Sequence, residues 1–496
     1  MSADEVRVAL ARGGQAVEIR ETHISWVFLA GDRAYKLKKP IVLPFLDYGT
    51  PRLRHELCRE EVRLNRRLAP DIYLGVRSIV SEDGGVALAG EEDPRALDYV
   101  VEMRRYDEQD TLAARLARGQ LQRDQITDTG AVLAAFHSTA RQVPVDAHPV
   151  LTVERRLAAN SHELLALLDQ RGEVARVLAL ERFAHAFVTA NAAMLDTRAR
   201  GGLVREGHGD LRAEHVLLEG DRVSAVDCVE FDRALRQLDV ADDLAFLVCD
   251  LAAIGGERFI PALLDAYRES GGEPGSDALV SFYATYRALV RAKVALVRAA
   301  QHRVGSAARG HESATARNLL LLAERFAWRA RLPLAIVVCG VPASGKSVLA
   351  TALANASGLA HLSSDVTRKR LIGVGATERA PTDAYTTAAN AMTYAELGRR
   401  AANEVHRTGG VIVDATFRHR VDRDAFRDAF AAAAPLVFVE CLAPAAELER
   451  RARRREVDSS RVSDATTAVV IRERTSFETL DEVAAADHIA LRSDRA

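Results

Sequence analysis

A glycine-rich loop in the last third of the chain has the residue types that hold the phosphates of a nucleoside triphosphate. It follows the apolar segment 334–339, and its residues are Gly340, Val341, Pro342, Ala343, Ser344, Gly345, Lys346 and Ser347. In such a loop the backbone N–H groups point to phosphate oxygens, the lysine reaches the β- and γ-phosphates, and the last hydroxyl binds the metal ion. We therefore predict that residues 340–347 bind ATP and Mg²⁺, with Lys346 acting in catalysis and Ser347 as a metal ligand.

Two carboxylates follow predicted strands downstream of this loop, at the strand ends where parallel sheets bind their ligands. Asp414 follows the apolar strand 411–413 and is predicted to hold metal-bound water. Asp365 follows residues 361–364 and has two interpretations, a catalytic carboxylate or part of the cap of the helix that begins there. A later helix is crowded with arginines, which either face solvent or close over a transferring phosphoryl group. They are Arg450, Arg451, Arg453, Arg454 and Arg455.

Together these segments resemble the P-loop kinases related to polynucleotide kinase and zeta toxin. The resemblance covers about residues 332–496 and also rests on Ser-Asp-Val-Thr-Arg-Lys-Arg at 364–370 and Val-Asp-Ala-Thr at 413–416. It implies that Asp365 is the base for a substrate hydroxyl. It also implies that Arg450 and Arg453 belong to a lid that closes over the nucleotide.

A second polar cluster lies in the first two-thirds of the chain, at residues 208–215, which run His-Gly-Asp-Leu-Arg-Ala-Glu-His. Two short apolar strands follow, and Asp227 comes directly after the second of them. A hairpin of these strands would bring Asp210, His215 and Asp227 together. This set suits phosphoryl transfer, because one carboxylate can take the proton of the acceptor hydroxyl while the other two groups hold metal on the phosphates.

This cluster resembles the aminoglycoside and choline kinase superfamily, whose fold is protein-kinase-like and whose motif is His-Gly-Asp-x-x-x-x-Asn followed by a metal-binding Asp. The resemblance implies that Asp210 is the base, that Asp227 is the main metal ligand, and that Asp243 braces the catalytic loop. His215 takes the position of the Asn, and imidazole prefers softer metals than Mg²⁺. Glu230, close to Asp227 in the sequence, is a candidate compensating ligand.

Residues 34–36 fit the third strand of a kinase small lobe, where an alanine and a lysine two residues later face the nucleotide together. Lys36 is therefore the predicted nucleotide-binding lysine, and Lys38 on the same strand face is the alternative. The lysine needs a carboxylate from the next helix. There Glu60 and Glu61 flank the inward stripe of Leu57, Leu64 and Leu68 on either side, and Glu61 is preferred with Glu60 as the alternative.

Residues 100–103 are predicted to form the hinge, with Glu102 and Met103 holding the nucleotide base through their backbone groups. No strict glycine-rich loop precedes Lys36. Arginine has replaced lysine almost everywhere in this chain, so a remaining lysine marks a position where a compact ammonium is favoured. The lysines are Lys36, Lys38, Lys39, Lys293, Lys346 and Lys369.

The pattern along the chain predicts the elements that must position these groups. Strands are expected at 15–20, 26–30, 34–38, 72–80, 86–88 and 96–103, with a helix at 52–68. Amphipathic helices fill most of 110–331, and apolar strands alternate with helices after residue 333. We predict an α/β multidomain protein with a small lobe at 1–103, a mainly helical large lobe at 104–331 and a parallel-sheet P-loop domain at 332–496.

The arrangement of the whole chain resembles a bacterial family described as an aminoglycoside phosphotransferase-like protein fused to an ATPase, a label that names a fold and not a substrate. The net charge of −2 does not favour nucleic acid as a partner. No apolar run is long enough to cross a bilayer, and we expect a cytoplasmic protein with no membrane partner.

These observations predict a phosphotransferase with two ATP sites, each acting on the hydroxyl of a small molecule. Nucleic acid is the alternative acceptor for the C-terminal half, from its resemblance to polynucleotide kinase. Asp107, Glu108 and Asp110 follow the hinge and suit either a cationic acceptor or a solvated turn. The rival function makes the N-terminal half a nucleotide or ligand sensor that regulates a P-loop ATPase or kinase.

Overall fold

The chain folds into two compact units, residues 1–326 and 327–496. The computed structural model describes residues 3–12, 16–22, 24–43, 46–82, 85–145, 148–302, 305–375, 377–456 and 467–494. None of the helices in this described part combines the length and the apolar composition that crossing a membrane requires.

The small lobe of the first unit is an antiparallel six-stranded sheet in the order β1-β2-β3-β8-β6-β7. Its elements, with the short hairpin β4–β5, are α1 (Ala3–Ala11), β1 (Val17–Glu21), β2 (Ser25–Ala30), β3 (Arg33–Lys38), β4 (Val42–Leu43), β5 (Leu46–Asp47), α2 (Pro51–Asn65), β6 (Tyr73–Glu82), β7 (Gly85–Ala89) and β8 (Ala96–Arg104). The hydrophobic residues of β3, β6, β8 and α2 share one buried core. The sheet therefore carries α2 on one face, which sets the distance between strand β3 and the helix.

Helix α2 begins at a cap that the sequence provides. The backbone N–H of Leu53 donates to the hydroxyl of Thr50 at 3.3 Å, and Pro51 occupies the first helical turn, where its missing N–H costs nothing. Farther along, the buried guanidinium of Arg54 donates to both carboxylate oxygens of Asp98 on β8, at 2.9 and 2.6 Å. This bidentate pair fixes α2 against the central strand of the sheet.

The large lobe of the first unit is mainly helical and contains two small antiparallel pairs, β10 with β11 and β9 with β12. Its elements are α3 (Leu112–Ala117), α4 (Arg123–Thr139), α5 (Pro149–Leu165), α6 (Arg171–Ala190), α7 (Ala192–Arg200), β9 (Val204–Glu206), β10 (Val216–Glu219), β11 (Arg222–Ala225), α8 (Arg233–Arg236), β12 (Gln237–Asp239), α9 (Val240–Ala253), α10 (Ile260–Glu269), α11 (Asp277–Gln301) and α12 (Ala307–Arg329). In the hairpin, Val216 pairs with Ala225, and Val226 donates its N–H to the carbonyl of His215 at 3.0 Å. The hairpin thereby places His215 beside the residue that follows Val226.

The second unit is a five-stranded parallel sheet in the order β14-β15-β13-β16-β17 with helices packed on it. Its elements are β13 (Leu334–Cys339), α13 (Lys346–Ser357), β14 (Ala360–Ser363), α14 (Ser364–Leu371), α15 (Thr387–Thr408), β15 (Gly410–Asp414), α16 (Arg420–Phe430), β16 (Leu436–Leu442), α17 (Ala445–Glu456), α18 (Thr467–Thr475) and β17 (His488–Arg492). Strand β13 is central, and its residues are nearly all buried. The predicted α/β multidomain class is confirmed: a two-lobed kinase-like α+β unit precedes a parallel-sheet P-loop unit.

The buried Arg54–Asp98 pair gives a prediction about stability. Replacing Arg54 by Ala leaves an uncompensated carboxylate under α2, and we expect the free energy of unfolding of the first unit to fall by about 3 kcal/mol. Urea denaturation followed by Trp26 fluorescence, with Trp328→Phe in both parent and variant, measures this change. Arg52→Ala is the matched control, because Arg52 pairs with Glu56 on the exposed face of the same helix. Equal losses in the two variants would contradict the account.

Candidate nucleotide-binding and catalytic sites

The first unit contains a cleft of about 700 Å³ that is lined by Lys36, Asp227 and His215 among other residues. The Nζ of Lys36 lies 2.8 Å from Oε1 of Glu61 and 2.7 Å from Oδ1 of Asp227. Burial alone lowers the pKa of Lys36, but the carboxylates of Asp227 and Glu61 outweigh burial and hold that pKa well above its usual value. The ammonium is therefore kept charged at the cleft wall, where it can meet phosphate.

Lys38, the alternative nucleotide-binding lysine, lies on the same face of β3 but has no exposed side-chain surface. Its Nζ donates to Oε2 of Glu61 at 2.6 Å and to the hydroxyl of Tyr48 at 3.3 Å, and it also pairs with Glu230. Glu61 thus serves both lysines, one oxygen each. Glu230, the candidate compensating metal ligand, is held by Lys38 and Tyr48 in the protein interior.

The two glutamates considered on α2 point in different directions. Glu60 is turned away from Lys36 and pairs with Arg63 at 2.7 Å and with Arg236 at 2.6 Å. Glu61 is completely buried under β3. Helical periodicity placed both glutamates beside the inward stripe, and Glu61 is the one whose side chain reaches Lys36.

The loop 208–215 is held from behind by Asp243 on α9. The backbone N–H groups of His208 and Gly209 donate to its two oxygens at 2.6 and 2.9 Å, and His137 approaches the same carboxylate at 3.1 Å. The ring of His208 is buried, and burial lowers its pKa to about 4, so it stays neutral and its Nε2 donates to the carbonyl of Val226 at 2.9 Å. These bonds hold the beginning of the loop against α9 and Val226.

Asp210, His215 and Asp227 lie close together, and His215 and Asp227 line the cleft. Nδ1 of His215 is 3.7 Å from Oδ2 of Asp210, and Nε2 of His215 is 3.8 Å from Oδ2 of Asp227. Sequence reasoning missed Arg212, whose guanidinium lies 3.1 Å from both Asp210 and His215. The sequence signal that could have identified Arg212 was its position two residues after the proposed base.

The predicted hinge 100–103 lies within β8, where Glu102 and Met103 pair with neighbouring strands on both sides. Met103 lines the cleft, whereas Glu102 faces the hydroxyl of Tyr35 at 3.4 Å on the other side of the sheet. The segment that leaves the strand, residues 105–107, also lines the cleft. A strand with two partners has its N–H and C=O groups engaged, which does not favour base contact by Glu102 and Met103. The N–H of Arg105 is also engaged, because it donates to the carbonyl of Asp32 at 2.8 Å.

Lys39 binds the end of strand β1. Its ammonium donates to the carbonyl of Thr22 and to Glu21, both at 2.6 Å. The ammonium groups of Lys36, Lys38 and Lys39 thus each donate to two or more oxygen atoms. This agrees with the idea that lysine was kept where a guanidinium fork would not fit.

In the second unit, residues 340–347 connect the carboxyl end of β13 to the first turn of α13. The loop needs its glycines: Gly340 has φ 135° and Gly345 has φ 96°, and a Cβ on Gly340 would lie 2.6 Å from the carbonyl oxygen of Cys441. Ala343 also adopts a left-handed φ of 68°. Lys346 and Ser347 begin α13, so the loop N–H groups and the helix N-terminus are available to the same anion.

Asp414 ends β15 beside this loop and is almost fully buried. Its Oδ1 accepts no hydrogen bond from the described residues, and Oδ2 is 3.7 Å from Nε2 of His361. Burial raises its pKa, but His361 and Lys346 outweigh burial and hold the pKa below its usual value. An ionised, buried carboxylate oxygen without a donor fits the predicted role of holding metal-bound water.

Asp365 is the second residue of α14, and the cap position belongs to Ser363, whose side chain makes no capping hydrogen bond. Asp365 therefore lies in the first turn of α14, where a carboxylate is favourable for the helix, and both interpretations of it stay open. Glu473 on α18 is another carboxylate on this side of the loop; it lies 3.5 Å from Arg418. Burial raises the pKa of Glu473, and Lys346 and Asp365 are among the charges that act on it.

The arginine-rich helix α17 contacts the P-loop through Arg451. Its guanidinium lies 3.4 Å from the carbonyl oxygen of Ser344 and 2.8 Å from that of Ser493, and the Ser493 hydroxyl donates to Ser344 O at 2.6 Å. Arg450 is exposed and pairs with Glu447 at 2.6 Å. Arg453 is also exposed, and the side chain of Arg455 lies outside the described part.

Fold and site together define a protein with a kinase-like unit followed by a P-loop NTPase unit. Residues 336–480 match the family model described as AAA domain. Uncharacterized protein Rv2004c of Mycobacterium tuberculosis (strain ATCC 25618 / H37Rv) is 34% identical over 409 residues, which cover 81% of this chain and 78% of that protein. The chain belongs to the family of this mycobacterial protein.

Two solved structures are similar to parts of the chain. A choline/ethanolamine kinase family protein from Mesorhizobium loti is 16% identical, covers 67% of this chain and 99% of its own, and has a TM-score of 0.37. A gluconokinase from Sinorhizobium meliloti 1021 is 24% identical, covers 33% of this chain and 83% of its own, and has a TM-score of 0.23.

The contact of Arg451 with the P-loop gives a prediction about nucleotide binding. Arg451→Ala removes the donor that orients the P-loop carbonyls, and we expect the affinity of the second unit for ATP to fall about tenfold, the contribution of one charged hydrogen bond. Arg407→Ala is the matched control and should leave affinity unchanged, because Arg407 pairs with Glu404 on the exposed surface of α15. Calorimetry with a non-hydrolysable ATP analogue, on full chains carrying Lys36→Ala, measures both. Unchanged affinity in Arg451→Ala would show that the P-loop keeps its shape without this contact.

Proposed function

We propose that this protein is an ATP-dependent phosphotransferase with two nucleotide sites, each transferring a phosphoryl group to a hydroxyl of a small-molecule substrate. The observation that carries the proposal is the meeting of Lys36, Glu61 and Asp227 within 2.8 Å at the wall of one cleft. These three residues lie far apart in the sequence, on β3, on α2 and after β11. A P-loop with a buried carboxylate beside it supports the second site.

In the N-terminal cleft, Asp210 is the proposed base for the acceptor hydroxyl. The hydroxyl oxygen attacks the γ-phosphorus of ATP, ADP leaves, and the hydroxyl proton passes to the Asp210 carboxylate. Lys36 is proposed to hold the phosphates, while Arg212 is placed to meet charge that develops near Asp210. Asp227 and His215 present oxygen and nitrogen donors of the kind a divalent cation takes, and a cation bound there would neutralise phosphate charge.

In the C-terminal unit, Lys346 and the loop N–H groups are proposed to hold the triphosphate. Ser347 and Asp414 have the donors that Mg²⁺ prefers, a hydroxyl and a carboxylate. Asp365 is the proposed base, and Arg450 and Arg453 are proposed to reach the transferring group from α17 when the lid closes. Both arginines are exposed, and Arg450 would have to leave its pair with Glu447 to reach the nucleotide.

The acceptor remains defined only by class. Of the acidic residues after the hinge, Glu108 and Asp110 are paired with arginines, whereas Asp107 keeps its negative charge and lines the cleft. Asp107 accepts from the N–H of Gln109 at 2.9 Å, Asp110 pairs with Arg115 at 2.8 Å, and Glu108 pairs with Arg20. A hydroxyl-bearing small molecule is the proposed acceptor for both units, and nucleic acid is the alternative for the second.

Two substitutions separate binding from chemistry in the N-terminal site. Asp210→Asn should leave nucleotide affinity nearly intact and lower turnover by about a hundredfold or more, the usual worth of a positioned general base. Asp227→Ala should weaken metal-dependent nucleotide binding as well, because it removes a ligand of the cation. The measurements are analogue affinity by calorimetry and ATP consumption with a metabolite extract as the source of acceptors, both on full chains carrying Lys346→Ala.

Two outcomes would change the proposal. Equal loss of affinity in both variants would show that Asp210 is structural or a metal ligand, and its role as base would be dropped. Nucleotide binding without any transfer in the Lys346→Ala parent would favour the sensor function for the N-terminal unit. Arg212 close to Asp210 is the observation that makes this second outcome worth testing.

A further inference from the structure

The two ring nitrogens of His215 have distinct partners. Nδ1 lies 2.8 Å from the backbone carbonyl of Asp210, and a carbonyl oxygen only accepts, so Nδ1 carries a proton. Nε2 lies 3.1 Å from a guanidinium nitrogen of Arg212, which only donates. The neutral ring with its proton on Nδ1 satisfies both neighbours, and its Nε2 lone pair accepts from Arg212. A metal ion would take the same lone pair, so metal binding at Nε2 requires the guanidinium of Arg212 to leave it.

The two carboxylate oxygens of Asp227 also have different neighbours. Oδ1 accepts from Lys36 at 2.7 Å, and Oδ2 is the oxygen that faces Nε2 of His215 at 3.8 Å. Asp227 has a left-handed φ of 66°, and its N–H donates to the hydroxyl of Tyr73 at 3.2 Å. The backbone is thus held in a costly conformation that directs the carboxylate toward the imidazole.

One cation can bridge these two atoms. Metal bonds of about 2.1 Å to an imidazole nitrogen and a carboxylate oxygen put the two donors roughly 3 to 3.8 Å apart. Among the residues with described coordinates, no group of three or more His, Cys, Asp or Glu side chains forms a metal cluster. The protein therefore offers two ligands, and a triphosphate would have to supply others.

We propose that Nε2 of His215 and Oδ2 of Asp227 form a mixed nitrogen–oxygen site for the nucleotide-bound cation, which selects a divalent first-row transition-metal ion such as Mn²⁺ over Mg²⁺. The inference rests on the proposed nucleotide site of the first unit and specifies its metal. Mg²⁺ takes oxygen ligands almost exclusively, whereas imidazole is a good ligand for first-row transition metals. The bond from Nδ1 to the Asp210 carbonyl orients the ring, as partners of metal-bound histidines do.

Mn²⁺ is the probe, because pulsed electron paramagnetic resonance detects a directly bonded imidazole nitrogen through its ¹⁴N modulation. The parent is the full chain with Lys346→Ala and Ser347→Ala, which disable the P-loop site, mixed with Mn²⁺ and the β,γ-methylene analogue of ATP. We expect ¹⁴N modulation in this parent and its loss in His215→Asn. Mn²⁺ affinity in the presence of the analogue should fall about tenfold or more in His215→Asn, while Mg²⁺ affinity should change by less than about twofold.

His361→Asn in the same parent is the matched control and should retain the modulation, because His361 is the histidine beside the other proposed metal carboxylate, Asp414. If Mn²⁺ binds and depends on Asp227 but shows no modulation, or if the modulation persists in His215→Asn, the mixed site is overturned and the proposed phosphotransferase site stands with oxygen ligands. If the parent binds no metal–nucleotide complex at all, the inference and the proposed N-terminal nucleotide site both fail.

Discussion

The N-terminal site depends on a chain of charges that alternate in sign through the protein interior. Glu61 is fully buried and receives Lys36 at one oxygen and Lys38 at the other, at 2.8 and 2.6 Å. Lys36 also forms an ion pair with Asp227 in the cleft, and Lys38 forms one with Glu230 in the core. Removing one member leaves an uncompensated charge in a medium of low dielectric, which costs several kcal/mol. Strand β3, helix α2 and the segment after β11 must therefore keep their positions together.

The surrounding fold reinforces this constraint from two sides. The Arg54–Asp98 pair fixes α2 on β8, so Glu61 cannot retreat from the lysines. Asp243 holds the backbone of the loop that carries Asp210 and His215, and the hairpin bond from Val226 to His215 places Asp227 beside that loop. The proposed function needs a cleft open to ATP and to an acceptor, and these linked charges form part of the wall of that cleft.

Sequence patterns predicted the helices, strands and loops well where hydrophobic periodicity and short-range chemistry determine the local structure. The P-loop between β13 and α13, the alternation on β3 and the hairpin before Asp227 all follow from short-range rules. Lys36 and Lys38 share a strand face, so the alternation of the strand could not decide which lysine meets the nucleotide. The structure decides it, because Tyr48 and Glu230, which are distant in the sequence, bury Lys38 in the interior. Contacts such as those of Arg451 with the P-loop carbonyls and Ser493 depend on how α17 and the end of the chain pack, which no local pattern encodes.

The central claim is that one chain holds two independent ATP sites, built on Lys36 and on Lys346. The most direct test is the number of ATP-analogue molecules that the full chain binds, measured by calorimetry with both Mg²⁺ and Mn²⁺ present. The account predicts two per chain, one after Lys36→Ala, one after Lys346→Ala, and none when the two substitutions are combined. A single molecule per chain that disappears with Lys346→Ala and is unaffected by Lys36→Ala would contradict it.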